Sequence, residues 1–122
     1  MSAEFQHINL TYLEQMTEGD RMLEREMLTV LVKELQTEIP KLRALQVAGR
    51  WRELGEVSHR LKTSLAYAGD GALSKINAEI EALASAGAGV EKLPGLLDRL
   101  EAAAPAVVAE LQTAIGSLAP AP

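Results

Sequence analysis

One short stretch concentrates the chemistry that the sequence offers: "SHRLKTSLAYAG", from Ser58 to Gly69. It carries His59, one of only two histidines in the 122-residue chain, and Lys62 follows three residues later, about one helical turn away. An imidazole in a protein packs in the core, binds a metal ion, or reacts as a base or nucleophile. The side of the helix on which His59 lies helps to decide among these roles.

Helical geometry predicts that His59 is exposed. At about 100° per residue, the apolar residues of this segment cluster within a sector of roughly 80°: Leu54, Val57, Leu61, Leu65 and Ala68. His59 lies about 160° from the centre of that sector. The residues that share its side of the helix are small or charged, with access to water: Arg52, Gly55, Glu56, Lys62, Thr63 and Ala66.

The pattern does not favour a metal site or a self-contained active site. His7, the other histidine, stands near the amino terminus, and no zinc motif surrounds either histidine. A hydrolytic base would need a nucleophile in a cleft, whereas Ser58 and Ser64 point to other sides of a convex helix. Two interpretations stay open from these residues alone. In one, His59 is an exposed nucleophile and Lys62 neutralises a phosphoryl group on its ring; in the other, both are ordinary surface side chains.

Composition sets the class of protein that positions these residues. Apolar residues make up 48% of the chain and aromatic residues only 3%, which predicts a core of Leu, Ala, Val, Ile and Met in an all-α fold. The absence of cysteine excludes disulfides and thiolate chemistry. Neither a signal peptide nor a membrane-length apolar run is visible, so we expect a soluble cytoplasmic protein without a membrane contact.

Charge is distributed unevenly along the chain. The net charge of −5 argues against nucleic acid as a partner. Between Lys41 and Lys62, however, six basic residues face only two acidic ones, whereas the rest of the chain holds six basic and fifteen acidic residues. This distribution predicts a positive patch around His59. The patch is either an ordinary solvated helical face or a docking surface for an acidic partner, and its position around the histidine favours the docking surface.

Apolar periodicity predicts one short helix and four long ones. The short helix is expected to be capped by the side chain of Asn9 or Thr11, to have Leu10, Leu13 and Met16 at helical spacing, and to end at Gly19. The long helices cover about 20–47, 51–68, 71–86 and 91–118, with bends and no breaks at Pro40 and Pro105. Short connections between four amphipathic helices predict an antiparallel up-down-up-down bundle, with the short helix at one end. We expect a single domain over residues 1–118 and a frayed tail over 119–122.

The stretch "HRLKTSLAYAGDGAL" resembles the signature of the histidine-containing phosphotransfer (HPt) domains of multistep two-component signalling. The matching positions are His59, Leu61, Lys62, Ser64, Gly69 and Leu73. The preceding long helix and the "AGRW" corner are also similar, and the resemblance covers about Ile8 to Leu83. Thr63 is the visible departure, since most members have glycine there.

The resemblance implies a phosphocarrier with no ATP site of its own and no bound cofactor. His59 would be the phosphoacceptor, Lys62 would stabilise the phosphohistidine, and Mg²⁺ would be held by the partner. The partners would be receiver domains of response regulators or of a hybrid sensor histidine kinase. Residues expected to contact them are Arg52, Gly55, Glu56, Arg60, Thr63 and Ala66.

Two alternatives accompany this prediction. In the first, the chain is an HPt-like adaptor that binds a receiver and carries no phosphate, for which Thr63 is the hint. In the second, it is an unrelated helical bundle in which His59 and Lys62 are incidental. We further expect a monomer, because the chain supplies four long helices of its own, and a free-standing protein beginning at Met1.

Overall fold

The structure is a computed structural model, and it describes residues 5–118. It contains five α-helices and one short 3₁₀ turn: α1 (Thr11–Thr17), α2 (Arg21–Val47), α3 (Trp51–Ala68), α4 (Gly71–Ala86), the turn Val90–Lys92, and α5 (Leu93–Ser117). No strand occurs between residues 5 and 118. The all-α prediction is therefore confirmed, and the predicted tail over 119–122 lies outside the described residues.

The four long helices close into a ring of neighbours. α2 packs against α3, α3 against α4, α4 against α5, and α5 against α2. The connections between consecutive helices are short, so each helix returns antiparallel to the one before it. α1 packs on α2 and α3. This is the expected bundle with an additional short helix, while the domain boundaries and the monomeric state stay predictions.

Leucine forms most of the core. Leu28, Leu54, Leu73 and Leu97, one from each long helix, are fully buried. The aliphatic composition is sufficient to fill the interior because each amphipathic helix presents one apolar stripe to it. In α1, only Leu13 is fully buried, whereas Met16 is 53% exposed. The helical spacing of Leu13 and Met16 therefore does not place both side chains in the core.

Polar caps fix where the helices begin. Asp20 and Asp70 accept hydrogen bonds from the backbone N–H groups of Leu23 and Leu73, three residues into α2 and α4. At α1 the prediction of a side-chain cap is wrong. Leu10 occupies the N-cap position, and the side chain of Asn9 instead accepts a hydrogen bond from the N–H of Thr11.

Gly69 joins the end of α3 to the amino-terminal segment. Its backbone has φ of 68°, and a Cβ atom there would lie 2.1 Å from the carbonyl oxygen of Asn9. The N–H of Asn9 donates to the carbonyl oxygen of Ala68 at 3.0 Å. Glycine is required at this turn because both the left-handed conformation and the close approach exclude a side chain.

Both internal prolines lie inside continuous helices. Pro40 falls within α2 and Pro105 within α5, so the prediction that neither breaks its helix is confirmed. The last helix begins at Leu93, slightly later than predicted, because Val90–Lys92 forms a 3₁₀ turn before it. Over residues 5–118, no helix has both the length and the apolar character that crossing a membrane requires.

Candidate functional site

His59 lies on the outer face of α3. Its neighbours Ser58 and Leu61 are 0% and 1% exposed, whereas the His59 side chain is 69% exposed. The alternation follows from the helical period, since the apolar stripe of α3 turns toward the bundle interior. The predicted exposure of His59 is confirmed.

The imidazole of His59 has one polar partner on the neighbouring helix. Its Nδ1 atom lies 2.7 Å from Oε2 of Glu81 in α4, and the Glu81 side chain is only 23% exposed. An ionised carboxylate only accepts hydrogen bonds, so a neutral His59 must carry its proton on Nδ1 to make this contact. The second ring nitrogen, Nε2, is then unprotonated and holds the nucleophilic lone pair.

A buried polar pair lies directly behind the histidine. The Ser58 hydroxyl is 2.7 Å from Oδ1 of Asn77 and 3.0 Å from the Asn77 carbonyl oxygen, and Nδ2 of Asn77 donates to the Ser58 carbonyl oxygen at 2.9 Å. Both residues are at most 1% exposed. Asn77 lies one helical turn before Glu81, so two consecutive positions of α3 are bonded to one side of α4.

Gly55 allows α3 and α4 to approach closely. It is buried, and a Cβ atom there would lie 3.2 Å from Oγ of Ser85 and 3.6 Å from Cβ of Ala84. The expectation that Gly55 is exposed beside His59 is therefore wrong, because α4 occupies that side of it. Its small size serves helix packing, and a contact with a partner stays a prediction.

The other predicted contact residues are exposed on α3: Arg52, Glu56, Arg60, Lys62, Thr63 and Ala66. Arg52 and Glu56 form an ion pair at 3.6 Å. Between residues 5 and 118, neither Arg60 nor Lys62 takes part in an ion pair of 4 Å or less. Two cations on the His59 helix are thus available to an anionic group.

The predicted positive patch contains fewer unpaired basic side chains than the sequence count indicated. Arg43 lies 2.6 Å from both Asp98 and Glu101 on α5, and Arg50 pairs with Glu53. Hydrogen bonding to Glu101, with a smaller contribution from Asp98, raises the pKa of Arg43 despite the opposing effect of desolvation. The patch prediction is wrong in extent because Asp98 and Glu101, which lie close only in the fold, neutralise Arg43. Arg50 is paired locally with Glu53, three residues along the chain.

A shallow trough runs beside His59 between α3 and α4. Trp51, Gly55 and His59 line it from α3, and Glu81 and Ser85 line it from α4. The surface around the histidine is thus slightly concave rather than convex. Within residues 5–118, no cluster of three or more His, Asp or Glu side chains is placed to hold a metal ion.

A second, apolar groove lies on the other side of α3. It is lined by Leu13, Leu23, Glu26, Met27, Leu28, Val30, Leu31, Glu34, Glu38, Arg60, Leu61, Thr63, Ser64 and Tyr67. Leu23 and Val30 expose 40% and 55% of their surface. The groove reaches α3 at Thr63, one turn from His59. The groove was not predicted from the sequence. The signal that could have indicated it is the presence of Leu23 and Val30 outside the buried apolar stripe of α2.

The apolar groove also has an acidic rim. Glu26, Glu34 and Glu38 lie along α2, and Ser64 donates a hydrogen bond to Glu34. Oε2 of Glu38 is buried and has no hydrogen-bond partner among residues 5–118. The sequence count of charges between Lys41 and Lys62 missed this rim, since α2 brings it beside α3 only in the folded bundle.

These features define a four-helix bundle with an exposed histidine held by a carboxylate of the neighbouring helix. The family model described as "Hpt domain" matches residues 26–117, and the chain therefore belongs to the Hpt domain family. The matched range includes His59, Lys62 and Glu81, and it excludes the alternative of an unrelated helical bundle. No individual curated protein and no solved structure matches the chain significantly. Membership in the family indicates a phosphotransfer role in a phosphorelay.

Proposed function

We propose that this protein accepts a phosphoryl group on His59 from the aspartyl phosphate of one receiver domain and passes it to another. The observation that carries the proposal is the exposed His59 ring with Nδ1 2.7 Å from the Glu81 carboxylate, in a chain of the Hpt family. That contact orients the ring and leaves Nε2 to react. Glu81 was not identified from the sequence.

In the proposed reaction, Nε2 of neutral His59 attacks phosphorus in line with the bond to the donor aspartate. The N–P bond forms as the P–O bond breaks, and the aspartate leaves as a carboxylate. The phosphorylated ring keeps its proton on Nδ1 and gains positive charge, which the Glu81 carboxylate stabilises through the 2.7 Å contact. Transfer to a second receiver reverses these steps.

Lys62 lies one turn from His59 and has no ion pair in the part of the chain that the structure describes. Its ammonium group carries a compact charge on a flexible stem, which suits it to follow a phosphoryl oxygen. We assign Lys62 to stabilisation of the phosphohistidine. The Mg²⁺ needed at the aspartyl phosphate would belong to the receiver.

The docking surface in this proposal is the exposed face of α3, extended onto the apolar groove against α2. Arg52, Glu56, Arg60, Thr63 and Ala66 are the proposed contacts on α3. The groove adds the exposed Leu23 and Val30, which give a partner apolar area to bury. The partner is a receiver domain, on a response regulator or on a hybrid sensor histidine kinase.

In this proposal the protein is a phosphocarrier and not a kinase, because His59 depends on the receiver domain for the activated phosphoryl group. The adaptor that binds a receiver without carrying phosphate is the alternative, and Thr63 favours it. Its β-branched side chain is exposed on α3, at the position where the family signature that this stretch resembles has glycine, so it narrows the space available to a partner.

Phosphoryl transfer from a panel of phosphorylated receiver domains tests the proposal. We expect label on the native protein and none on His59→Gln, under conditions that preserve acid-labile phosphohistidine. His7→Gln is the matched control, since His7 is the other histidine, and it should accept label normally. Receiver binding without label on the native chain would establish the adaptor instead.

A further inference from the structure

The Ser58–Asn77 pair is unusual in its surroundings. It lies between α3 and α4 among fully buried aliphatic side chains such as Leu54, Leu73 and Ile80. Its three contacts, at 2.7, 2.9 and 3.0 Å, use the hydroxyl, the amide and both backbone carbonyls. A buried pair in which every polar side-chain atom has a partner tolerates little displacement, because a lost partner would leave a desolvated polar group.

An aliphatic interface alone specifies helix rotation weakly. Hydrophobic cores lose uniqueness before they lose stability when their packing changes, whereas a single buried polar contact can fix a register. Side chains reach about 5–6 Å from a helix axis, so a rotation of roughly 20° moves a side-chain tip by about 2 Å. Such a rotation would break the 2.7 Å contact between His59 and Glu81.

We infer that the Ser58–Asn77 pair is a positioning element that sets the rotation of α3 against α4 and so holds His59 at Glu81 with Nε2 free. The sequence relation supports this: Ser58 directly precedes His59, and Asn77 lies one turn before Glu81. The Ser58–Asn77 and His59–Glu81 contacts therefore join the same stretch of α3 to the same stretch of α4. The effect of the Ser58–Asn77 pair on phosphoryl transfer rests on the proposed function of His59, whereas its effect on the orientation of the His59 ring does not.

The test replaces both buried partners with apolar residues, in Ser58→Ala/Asn77→Leu. Removing both partners of a hydrogen bond can be nearly neutral for stability, so the fold is expected to survive. The nitrogen chemical shifts of the His59 ring report which nitrogen carries the proton, and His7 in the same chain is an internal reference. Phosphoryl transfer from a receiver is measured on the same sample.

A matched control exists at a second buried polar pair. Thr17 donates to Oε1 of Glu24 at 3.1 Å between α1 and α2, and both residues are buried. Thr17→Val/Glu24→Leu therefore changes the same kind of contact away from the α3–α4 interface. We expect it to leave the proton of His59 on Nδ1 and the transfer rate unchanged.

We expect Ser58→Ala/Asn77→Leu to move a measurable fraction of the proton from Nδ1 to Nε2 and to slow transfer about tenfold. A slower rate with the native ring shifts would mean a merely structural role and would overturn the inference. Changed ring shifts with an unchanged transfer rate would also overturn it, as would native ring shifts with a native transfer rate. If the double variant unfolds, Asn77→Ser is measured in its place, because it keeps a polar group on a shorter side chain. We expect the same change in the ring shifts and the same slower transfer. Native ring shifts and a native transfer rate in Asn77→Ser would overturn the inference. If the native chain accepts no label, the proposed function fails, while the ring shifts still test the positioning of His59.

Discussion

The Nδ1 atom of His59 lies 2.7 Å from Oε2 of Glu81, although the two residues are 22 positions apart in the chain. The antiparallel return of α4 along α3 brings them together. The contact gives a surface histidine, 69% exposed, a defined ring orientation without burying it. An exposed nucleophile can thus be accessible to a partner and oriented at the same time.

Removing the Glu81 carboxylate should slow phosphorylation of His59. We expect Glu81→Ala to reduce the rate by about 10- to 100-fold, by analogy with the loss of a carboxylate that orients a metal-binding histidine. Glu81→Gln should cost less, because its amide oxygen still accepts a hydrogen bond from Nδ1. Initial rates of label transfer from a receiver measure both. The control Glu79→Ala, an exposed glutamate on the same helix, should be unaffected, and an equal loss in both alanine variants would contradict the prediction.

Lys62→Ala should shorten the lifetime of the phosphohistidine. Exposed ion pairs contribute little, so the expected change in hydrolysis rate is about two- to fivefold. Lys62→Arg keeps the charge and should largely preserve the lifetime. The loss of label from purified phosphoprotein over time measures the effect. Lys92→Ala, an exposed lysine in the turn before α5, should match the native protein; an unchanged lifetime in Lys62→Ala would remove Lys62 from the site.

Thr63 should limit how closely a partner approaches His59. Thr63→Ala removes the β-branch and is expected to speed transfer by about tenfold. This is the lower end of the effect that one extra methyl group has in a close contact. Thr63→Gly should be at least as fast but less stable, because glycine in a helix costs about 1 kcal/mol relative to alanine. Transfer rates and thermal unfolding of both variants separate the two effects. Slower transfer in Thr63→Ala would instead show that the hydroxyl assists the reaction.

Much of the bundle was accessible from the sequence because it depends on local rules. The 3.6-residue period places Leu54 and Leu61 inside and His59 outside, and the caps at Asp20 and Asp70 follow from side chains next to the helices they begin. The short loops then leave few ways to close four helices. Fold class and the exposure of His59 therefore followed without knowledge of any long-range contact.

The site could be predicted only in part because its partners come from different helices. No spacing within α3 indicates Glu81 or Asn77, since their relation to His59 depends on the rotation of α4. The same limitation explains the error at Gly55, whose exposed side in an isolated helix is covered by Ser85. The charge of Arg43 was likewise counted near the site although carboxylates on α5 neutralise it.

A larger side chain at Gly55 should separate α3 from α4. Gly55→Leu overpacks the contact with Ala84 and Ser85 and should cost about 1–3 kcal/mol in the free energy of unfolding. Gly55→Ala should be close to neutral, because a gain of about 1 kcal/mol in helix propensity offsets a 3.2 Å contact with the exposed Ser85 hydroxyl. Denaturant unfolding measures both.

The control for Gly55 is Gly95 in α5, where a Cβ atom would meet no atom of residues 5–118 within 4 Å, its own helix backbone and chain neighbours aside. Gly95→Ala should stabilise the protein by up to about 1 kcal/mol through helix propensity alone. The difference between the two alanine variants then reports the steric cost at the α3–α4 interface. If Gly55→Leu were as stable as the native chain, the close approach of the two helices would not depend on this glycine.

Acidification should release the amino-terminal segment from α5. The Glu110 carboxylate accepts backbone hydrogen bonds from Gln6, His7 and Ile8 at 3.0, 2.8 and 3.1 Å. Desolvation acts to raise the pKa of Glu110, but these hydrogen bonds together hold it below its ordinary value. A carboxyl group with a lowered folded-state pKa stabilises the fold above its unfolded-state pKa of about 4.3, and the contribution is lost as pH falls through the lower folded-state value.

Hydrogen exchange of the three amides tests this attachment at neutral pH. Glu110→Gln offers one uncharged acceptor oxygen in place of a carboxylate, so the amides of Gln6, His7 and Ile8 should exchange faster than in the native chain. Glu79→Gln, on the exposed face of α4, should leave them unchanged. In the native protein the same amide resonances should shift together only below about pH 4.3. Equal protection in the native and Glu110→Gln proteins would mean that other contacts hold the segment, among them the hydrogen bond from Asn9 to Ala68.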